Sequence, residues 1–377
     1  MNGIDLFLSL FSNLGNITWQ MVVMWAIGGL LIYLAIAKKM EPGLLLPMGF
    51  GAILVNLPLS GAITRGDTVG PISMLFEAGM SSELFPLLLF IGIGAMIDFG
   101  PLLEKPWLML FGAAAQFGIF FTFFLAGFFF DLRDAASIAI IGAADGPTAI
   151  FVANTLGSQY LGAIMVAAYS YMALVPIVQP PVIRMVTTPA ERRIRMPYRK
   201  GSVTQTTRIL FPIVVTVLAG LVAPASVALV GFLMFGNLLR ECGVLNTLSE
   251  TAQNVLTNLI TIVLGLTVAG QMTAEQFVRP DTLLILLLGL IAFVFDTVGG
   301  VLFAKLLNLF LPAGKKINPM IGAAGISAFP MSGRVINRMG LAEDDQNFLL
   351  MYSVSVNVSG QIASVIAGGL ILTLMGA

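Results

Sequence analysis

The sequence predicts an all-α polytopic membrane protein, and its composition is the first reason. Of the 377 residues, 58% are hydrophobic and 10% are charged, and the mean hydropathy is +0.96. Soluble domains carry roughly 25% charged residues, which they need for a hydrated surface. The composition therefore excludes a soluble enzyme, a nucleic-acid-binding protein and a disordered chain. At about 20 apolar residues per crossing, the length accommodates about 9 to 11 membrane segments, including broken or re-entrant helices.

The residue types that are missing narrow the chemistry. The chain has no histidine and a single cysteine, Cys242. An intramolecular disulfide, a CxxC site and the common His-based metal sites are therefore excluded. Carboxylates, hydroxyls, amides and backbone carbonyls remain, and these ligands favour hard cations such as Na⁺ over transition metals.

The first half of the chain contains clean spans and shorter apolar segments. Residues 1–18 lack the basic start of a cleaved signal peptide. Long apolar runs predict full crossings at residues 19–37, 107–130 and 161–179, the last of which ends at Pro180 and Pro181. Apolar but short or interrupted segments follow at residues 44–57, 84–97 and 135–156, the last of which contains Asp145.

A basic loop divides the chain. Between residues 184 and 208, seven basic side chains stand against the single acid Glu191: Arg184, Arg192, Arg193, Arg195, Arg199, Lys200 and Arg208. The positive-inside rule places this loop in the cytoplasm. The charge is either an orientation signal or a docking surface for a cytoplasmic partner. We therefore divide the chain into a first membrane half (1–183), the basic loop (184–208) and a second membrane half (209–377).

The second half repeats the mixture of full and interrupted spans. Residues 209–222, 227–239, 255–270 and 347–374 are apolar runs, and residues 282–311 form another that is expected to break at Asp296 and Gly299. Residues 317–331 are rich in Gly, Ala and Pro, which predicts a segment too broken for one straight helix. The polar stretch at residues 333–346 is expected to be a loop outside the hydrocarbon.

Two broken segments have similar sequences. The first broken segment (residues 141–149) reads Ile-Gly-Ala-Ala-Asp-Gly-Pro-Thr-Ala, and the second broken segment (residues 321–328) reads Ile-Gly-Ala-Ala-Gly-Ile-Ser-Ala. Each precedes a long span with polar residues near its middle. We interpret this as two inverted repeats. Broken helices in corresponding places indicate the binding site of a transporter, because free backbone carbonyls are tolerated in the bilayer only beside protein or a cavity.

Asp145 is the strongest candidate site residue. A carboxylate inside an apolar segment costs several kcal/mol unless it is paired or faces a polar cavity. Beside Gly146 and Pro147, its oxygens would lie next to free carbonyls, which suits a Na⁺ site. The alternative is a carboxylate that caps the next half-helix.

Each of the other polar residues allows both a functional and a structural interpretation. Asp98 fits a helix end as well as a functional role, and Asp296 fits a second site or a gate. Asn318, Ser327 and Asn357 supply uncharged oxygens, but such residues also join helices by hydrogen bonds. Tyr171 can relay a proton or be an ordinary buried tyrosine. Arg334 can meet an anionic substrate or mark a cytoplasmic boundary.

Several of these stretches resemble one family. Residues 140–148 (Ile-Ile-Gly-Ala-Ala-Asp-Gly-Pro-Thr), 169–173, 179–181 and 318–328 (Asn-Pro-Met-Ile-Gly-Ala-Ala-Gly-Ile-Ser-Ala) are similar to the β subunit of the Na⁺-pumping biotin-dependent decarboxylases. Residues 38–42 and 90–101 match the same family. Its members are subunits of decarboxylases for oxaloacetate, glutaconyl-CoA or methylmalonyl-CoA. The resemblance covers nearly the whole chain.

The resemblance implies a mechanism. A carboxyltransferase α subunit would carboxylate biotin on a carrier subunit, and the β subunit would decarboxylate carboxybiotin, consume a proton and export Na⁺. It further implies a small membrane γ or δ subunit, a homo-oligomeric β core and a bacterial or archaeal plasma membrane. The family's catalytic residues match Asp145, Tyr171, Ser327 and Arg334, and its Na⁺ ligands match Asp145, Asn318, Gly322, Ser327 and Asn357. From the residues alone, a Na⁺-coupled transporter of a small organic solute and a membrane scaffold remain as alternatives.

Overall fold

The computed structural model describes residues 12–40, 42–197, 201 and 203–376, and in these ranges every regular element is a helix. Residues 1–11, Glu41, Arg199 and Lys200, which entered the sequence interpretation, lie outside them. Seven helices are long and apolar enough to cross a membrane: Trp19–Ala37, Pro106–Ala126, Leu161–Val186, Gln205–Val222, Asn246–Ala269, Pro280–Phe310 and Leu350–Leu374. Pro71–Ser81 and Leu84–Met96 form a pair bent by 64°, which makes an eighth span if counted as one, and Pro42–Val55 is shorter. The predicted all-α polytopic membrane fold is confirmed, while the inverted repeats and the three-part division of the chain stay predictions.

The chain forms two compact units. The first unit comprises the described residues up to Phe85 together with Asn258–Leu284. Its close contact is between Trp19–Ala37 and Pro42–Val55, where a methyl group on Gly28 would lie 2.6 Å from the carbonyl oxygen of Gly49. Two helices can approach this closely only where neither has a side chain at the crossing.

The second unit contains both broken segments. It comprises Pro86–Thr257 and the described residues from Ile285 onward. The terminal helix (Leu350–Leu374) has 78% of its most apolar 18-residue window buried, which is more than in any other described span. It packs against Pro106–Ala126 and the second broken segment. Such a helix lies in protein rather than in lipid, so its polar side chains are available to an internal site.

Two expected helix breaks do not occur. Pro280–Phe310 is continuous through Asp296, because the Asp296 carboxylate accepts a hydrogen bond from a neighbouring backbone instead of ending its own helix. Leu161–Val186 likewise continues past Pro180 and Pro181. Buried neighbours can satisfy the backbone groups that a proline frees, so prolines are tolerated inside membrane helices.

The stretch expected to be a polar loop at residues 333–346 is largely a helix, Met331–Glu343. One face of this helix is buried, and its C-terminal end is joined to the basic loop. Arg192 Nε lies 2.6 Å from Glu343 Oε1, and Arg195 Nε lies 2.6 Å from Asp344 Oδ2, so both form ion pairs. The basic loop is therefore partly fixed by acids that follow the second broken segment.

Candidate functional site

Asp145 lies where the first broken segment restarts as a helix. A short 3₁₀ turn, Ile140–Ala143, ends at Ala144, whose φ of 50° lies in the left-handed region that interrupts a helix. Asp145 then caps the helix Gly146–Thr155: it accepts hydrogen bonds from the backbone N–H of Thr148 at 3.3 Å and from its hydroxyl at 2.8 Å. The capping interpretation is correct, and it places a buried carboxylate at a break between two helices.

The second broken segment meets the first at this carboxylate. The 3₁₀ turn Pro319–Gly325 forms its first part, and the backbone is extended at Ile326. The Ser327 N–H donates to the carbonyl oxygen of Ala143 at 2.9 Å, and the Ser327 hydroxyl donates to Asp145 Oδ2 at 2.9 Å. Two segments 182 residues apart in sequence are thus joined at one site.

The terminal helix supplies two further donors to Asp145. Gln361 Nε2 and Ser364 Oγ donate to Asp145 Oδ2 at 3.1 Å and 2.8 Å, and the hydroxyls of Ser364 and Ser327 are 3.0 Å apart. The sequence interpretation missed both residues. A signal was present, because Asn357, Gln361 and Ser364 are spaced by four and three residues and so share one helix face.

The environment of Asp145 suits a small cation. The residue is 2% exposed, and the described residues place no lysine or arginine in an ion pair with it. Four side chains converge on Oδ2 within 3.1 Å, whereas one carboxylate oxygen has about two lone pairs. The three hydroxyls among them have spare oxygen lone pairs, whereas Gln361 presents an amide N–H. With a carboxylate that lacks a counter-charge, these oxygens have the ligand chemistry of a hard monovalent cation. Among the described residues, no group of three or more His, Cys, Asp or Glu side chains is arranged to hold a metal ion.

Asn357 orients the second broken segment rather than touching Asp145. Its amide nitrogen donates to the carbonyl oxygens of Ala324 at 3.1 Å and Ile326 at 2.6 Å. Its own oxygen is buried and has no hydrogen-bond partner among the described residues. Asn357 therefore positions Ser327 through the backbone, and it leaves one oxygen available.

Asn318 and Gly322 hold the second broken segment in place. The Asn318 amide nitrogen donates to the carbonyl oxygens of Arg192 at 2.8 Å and Ile194 at 2.9 Å, which ties the segment to the basic loop. The backbones of Gly322 and Gly300 touch, and a side chain on either would overlap the other's carbonyl. The structure gives both predicted residues structural partners, and neither forms a hydrogen bond to Asp145.

Tyr171 has the surroundings of an ordinary buried tyrosine, which is one of its two expected roles. The Tyr171 hydroxyl donates to the carbonyl oxygen of Leu286. Tyr169 is the tyrosine beside Asp145: its ring lies against Gly146, and its buried hydroxyl has no hydrogen-bond partner among the described residues. Arg334 is exposed and has no ion pair in the described part of the chain. Tyr169 was not singled out from the sequence because buried tyrosines are common.

Asp98 and Asp296, the other two candidate acids, have different surroundings. Asp98 Oδ1 accepts from the N–H of Gly100 at 2.8 Å and from Arg208 at 3.2 Å, so it occupies the helix-end role. Asp296 is fully buried, and one of its oxygens accepts from the N–H of Ile119 at 3.1 Å. Asp98 thus belongs to the structure of a helix end, whereas Asp296 is a second buried carboxylate in the helical bundle.

Comparisons with known proteins identify the family of the chain. A family described as the Na⁺-transporting oxaloacetate decarboxylase beta subunit matches residues 20–375. The chain is 46% identical to the methylmalonyl-CoA decarboxylase subunit beta of Propionigenium modestum, over 94% of this chain and 95% of that protein. It is 45% identical to the glutaconyl-CoA decarboxylase subunit beta of Acidaminococcus fermentans, over 95% and 94%. It is 44% identical to the oxaloacetate decarboxylase beta chain of Klebsiella pneumoniae, over 93% and 94%. The chain therefore belongs to the family of beta subunits of the Na⁺-transporting decarboxylases.

Proposed function

We propose that this chain is the membrane subunit of a decarboxylation-driven Na⁺ pump, and that Asp145 binds the transported ion. Carboxybiotin, delivered on a biotin carrier subunit, would lose CO₂ at this subunit with consumption of a proton, and the free energy released would drive Na⁺ export. Family membership supports the role of the subunit. The arrangement of donors around Asp145 supports the location of the ion.

The single observation that carries the proposal is the convergence on one buried carboxylate. Ser327 and Ser364 each present a hydroxyl within 2.9 Å of Asp145 Oδ2. In the absence of an ion, their hydrogens satisfy the carboxylate. When Na⁺ arrives, the hydroxyls can rotate and present lone pairs to it, because a hydroxyl is both a donor and an acceptor. The site would thus exchange hydrogen bonds for ion contacts without a large backbone movement.

Movement of the ion would follow from the way the site is assembled. Asp145 and Ser327 belong to different broken segments, and Gln361 and Ser364 belong to a third element. A relative shift of the second broken segment would remove Ser327 from Asp145 and weaken the site. Asn357 and Asn318 hold that segment by its backbone and by the basic loop, so they act as positioning residues. As part of this proposal, the family resemblance gives Tyr171 and Arg334 a catalytic role. It gives Gly322 the role of a Na⁺ ligand.

The partners and the location follow the family. We expect a carboxyltransferase α subunit, a biotin carrier subunit and a small membrane γ or δ subunit, around a homo-oligomeric β core in a bacterial or archaeal plasma membrane. The basic loop would face the cytoplasm. There the biotin carrier would approach, since biotin is carboxylated in that compartment.

The test is reconstitution of the complex in lipid vesicles. Oxaloacetate, glutaconyl-CoA and methylmalonyl-CoA are supplied in turn, and Na⁺ uptake and CO₂ release are measured together. One substrate should drive both, and avidin should abolish both because it sequesters biotin. Na⁺ uptake that persists with avidin and follows a solute gradient would contradict the proposal and indicate a Na⁺-coupled secondary transporter.

A further inference from the structure

Asp296 is a second buried carboxylate, and one of its oxygens has no hydrogen-bond partner among the described residues. The residue has no exposed surface. Its Oδ1 accepts the N–H of Ile119 at 3.1 Å, whereas its Oδ2 is buried and has no hydrogen-bond partner among the described residues. A charged oxygen in this position would cost several kcal/mol, so an unpartnered ionised carboxylate is not a stable arrangement.

The segments around Asp296 supply no compensating positive charge. Residues 112–126, 140–144 and 286–303, which are all described, contain no lysine or arginine, and the second broken segment contains none either. The titratable groups on the surrounding elements are Asp145 on the first broken segment, Tyr169, Tyr171 and Arg184 on Leu161–Val186, and Asp281 and Lys305 on the helix of Asp296 itself. Arg184 is exposed and Lys305 pairs with Glu191 at 3.1 Å, so among the described residues neither basic side chain forms an ion pair with Asp296.

The first broken segment packs closely against Asp296 Oδ2. A methyl group on Gly142 would lie 2.9 Å from Asp296 Oδ2 and 2.7 Å from the Cβ of Ala292. Hard metal ions take several oxygen ligands, whereas no hydroxyl or N–H group among the described residues forms a hydrogen bond with Oδ2. A proton needs no such cage.

We propose that the Asp296 carboxyl is a second cation site of the protein, specific for a proton, and that it is coupled to the ion site at Asp145 through the first broken segment. The carboxylate takes up one proton at Oδ2 and becomes neutral. Gly142 lies against this oxygen, and Asp145 follows it after three residues in the same broken segment. The coupling rests on the ion site proposed at Asp145: a small adjustment of this segment when Na⁺ binds there changes the packing of Gly142 against Asp296 Oδ2.

Infrared spectroscopy of the purified, unmodified subunit in detergent tests this proposal. A protonated carboxyl group has a carbonyl stretching band distinct from that of a carboxylate, and the band moves on exchange into deuterium oxide. The wild-type minus Asp296→Asn difference spectrum at neutral pH should contain this band. Asp98→Asn is the matched control, since Asp98 is paired with Arg208 and should yield no such band.

Addition of Na⁺ tests the coupling. The Asp296 band should shift in the wild type, and in Asp145→Asn it should persist but no longer respond to Na⁺. A difference spectrum with carboxylate bands alone would overturn the proton site. A band that still responds to Na⁺ in Asp145→Asn would overturn the coupling, and this outcome is independent of carboxybiotin chemistry. If Asp296→Asn does not fold, Asp145→Asn decides the matter: a protonated-carboxyl band that persists in this variant supports the site at Asp296, and its absence overturns the site.

Discussion

Ser364 is the residue whose removal tests the geometry of the ion site in most detail. Its hydroxyl lies 2.8 Å from Asp145 Oδ2 and 3.0 Å from the hydroxyl of Ser327. In Ser364→Ala, the ion-free site loses little, because three other side chains still donate to Oδ2. The ion-bound site loses an oxygen ligand that nothing replaces. The change therefore weakens Na⁺ binding more than it destabilises the empty protein.

The magnitude follows from the strength of contacts with charged groups. Such a contact contributes about 1.5–3 kcal/mol, and about 1.4 kcal/mol corresponds to a tenfold change in affinity. We therefore expect the Na⁺ concentration for half-maximal uptake to rise by about 10- to 100-fold in Ser364→Ala. The assay is decarboxylation-driven Na⁺ uptake by reconstituted vesicles over a range of Na⁺ concentrations.

The matched control for Ser364→Ala is Ser359→Ala in the same helix. Ser359 is also buried, but its hydroxyl donates to the carbonyl oxygen of Val356 at 2.7 Å and is not at Asp145. Its loss should change the stability without changing the Na⁺ dependence. If Ser364→Ala and Ser359→Ala had the same Na⁺ dependence as the wild type, the reasoning about the terminal helix would be refuted.

Two further predictions concern packing and pH. Gly300→Ala should lower the unfolding temperature and reduce Na⁺ uptake, because overpacking against Gly322 costs about 1–3 kcal/mol. Gly29→Ala is the control, since a methyl group there meets open space, and it should leave Na⁺ uptake unchanged. Equal effects of the two substitutions would contradict the close contact between Gly300 and Gly322. The Arg195 guanidinium lowers the pKa of Asp344 from its ordinary value, so this pair stabilises the docked basic loop above about pH 4 and is lost as the pH falls further. Proteolysis of the basic loop should therefore accelerate in acid for the wild type and already be fast at neutral pH in Asp344→Asn; a loop equally resistant in both would contradict the prediction.

The sequence predicted the site best where a polar residue lies in an otherwise apolar segment. Asp145 stands out because a carboxylate in an apolar, broken segment needs a partner or a function. Ser327 was found because its segment repeats the pattern around Asp145. In the structure, the Ser327 hydroxyl lies 2.9 Å from Asp145 Oδ2. The all-helical membrane fold follows for a similar reason, since the low charge leaves few other architectures.

Residues that act through long-range contacts were not predictable in the same way. Gln361 and Ser364 are 216 and 219 residues from Asp145 in sequence, and serines in membrane helices commonly bond their own backbone. Only the packing of the terminal helix distinguishes Ser364 from Ser359. The expected break at Asp296 did not occur for a related reason: its hydrogen-bond donor, Ile119, is 177 residues away in sequence.

The most direct test of the central claim is equilibrium binding of radioactive Na⁺ to the purified subunit complex. Asp145→Asn keeps the shape of the side chain but removes its charge, and Asp98→Asn does the same to an acid outside the site. We predict that Asp145→Asn abolishes saturable Na⁺ binding while Asp98→Asn retains it. Binding by Asp145→Asn with wild-type affinity would contradict the assignment of this carboxylate as the ion site.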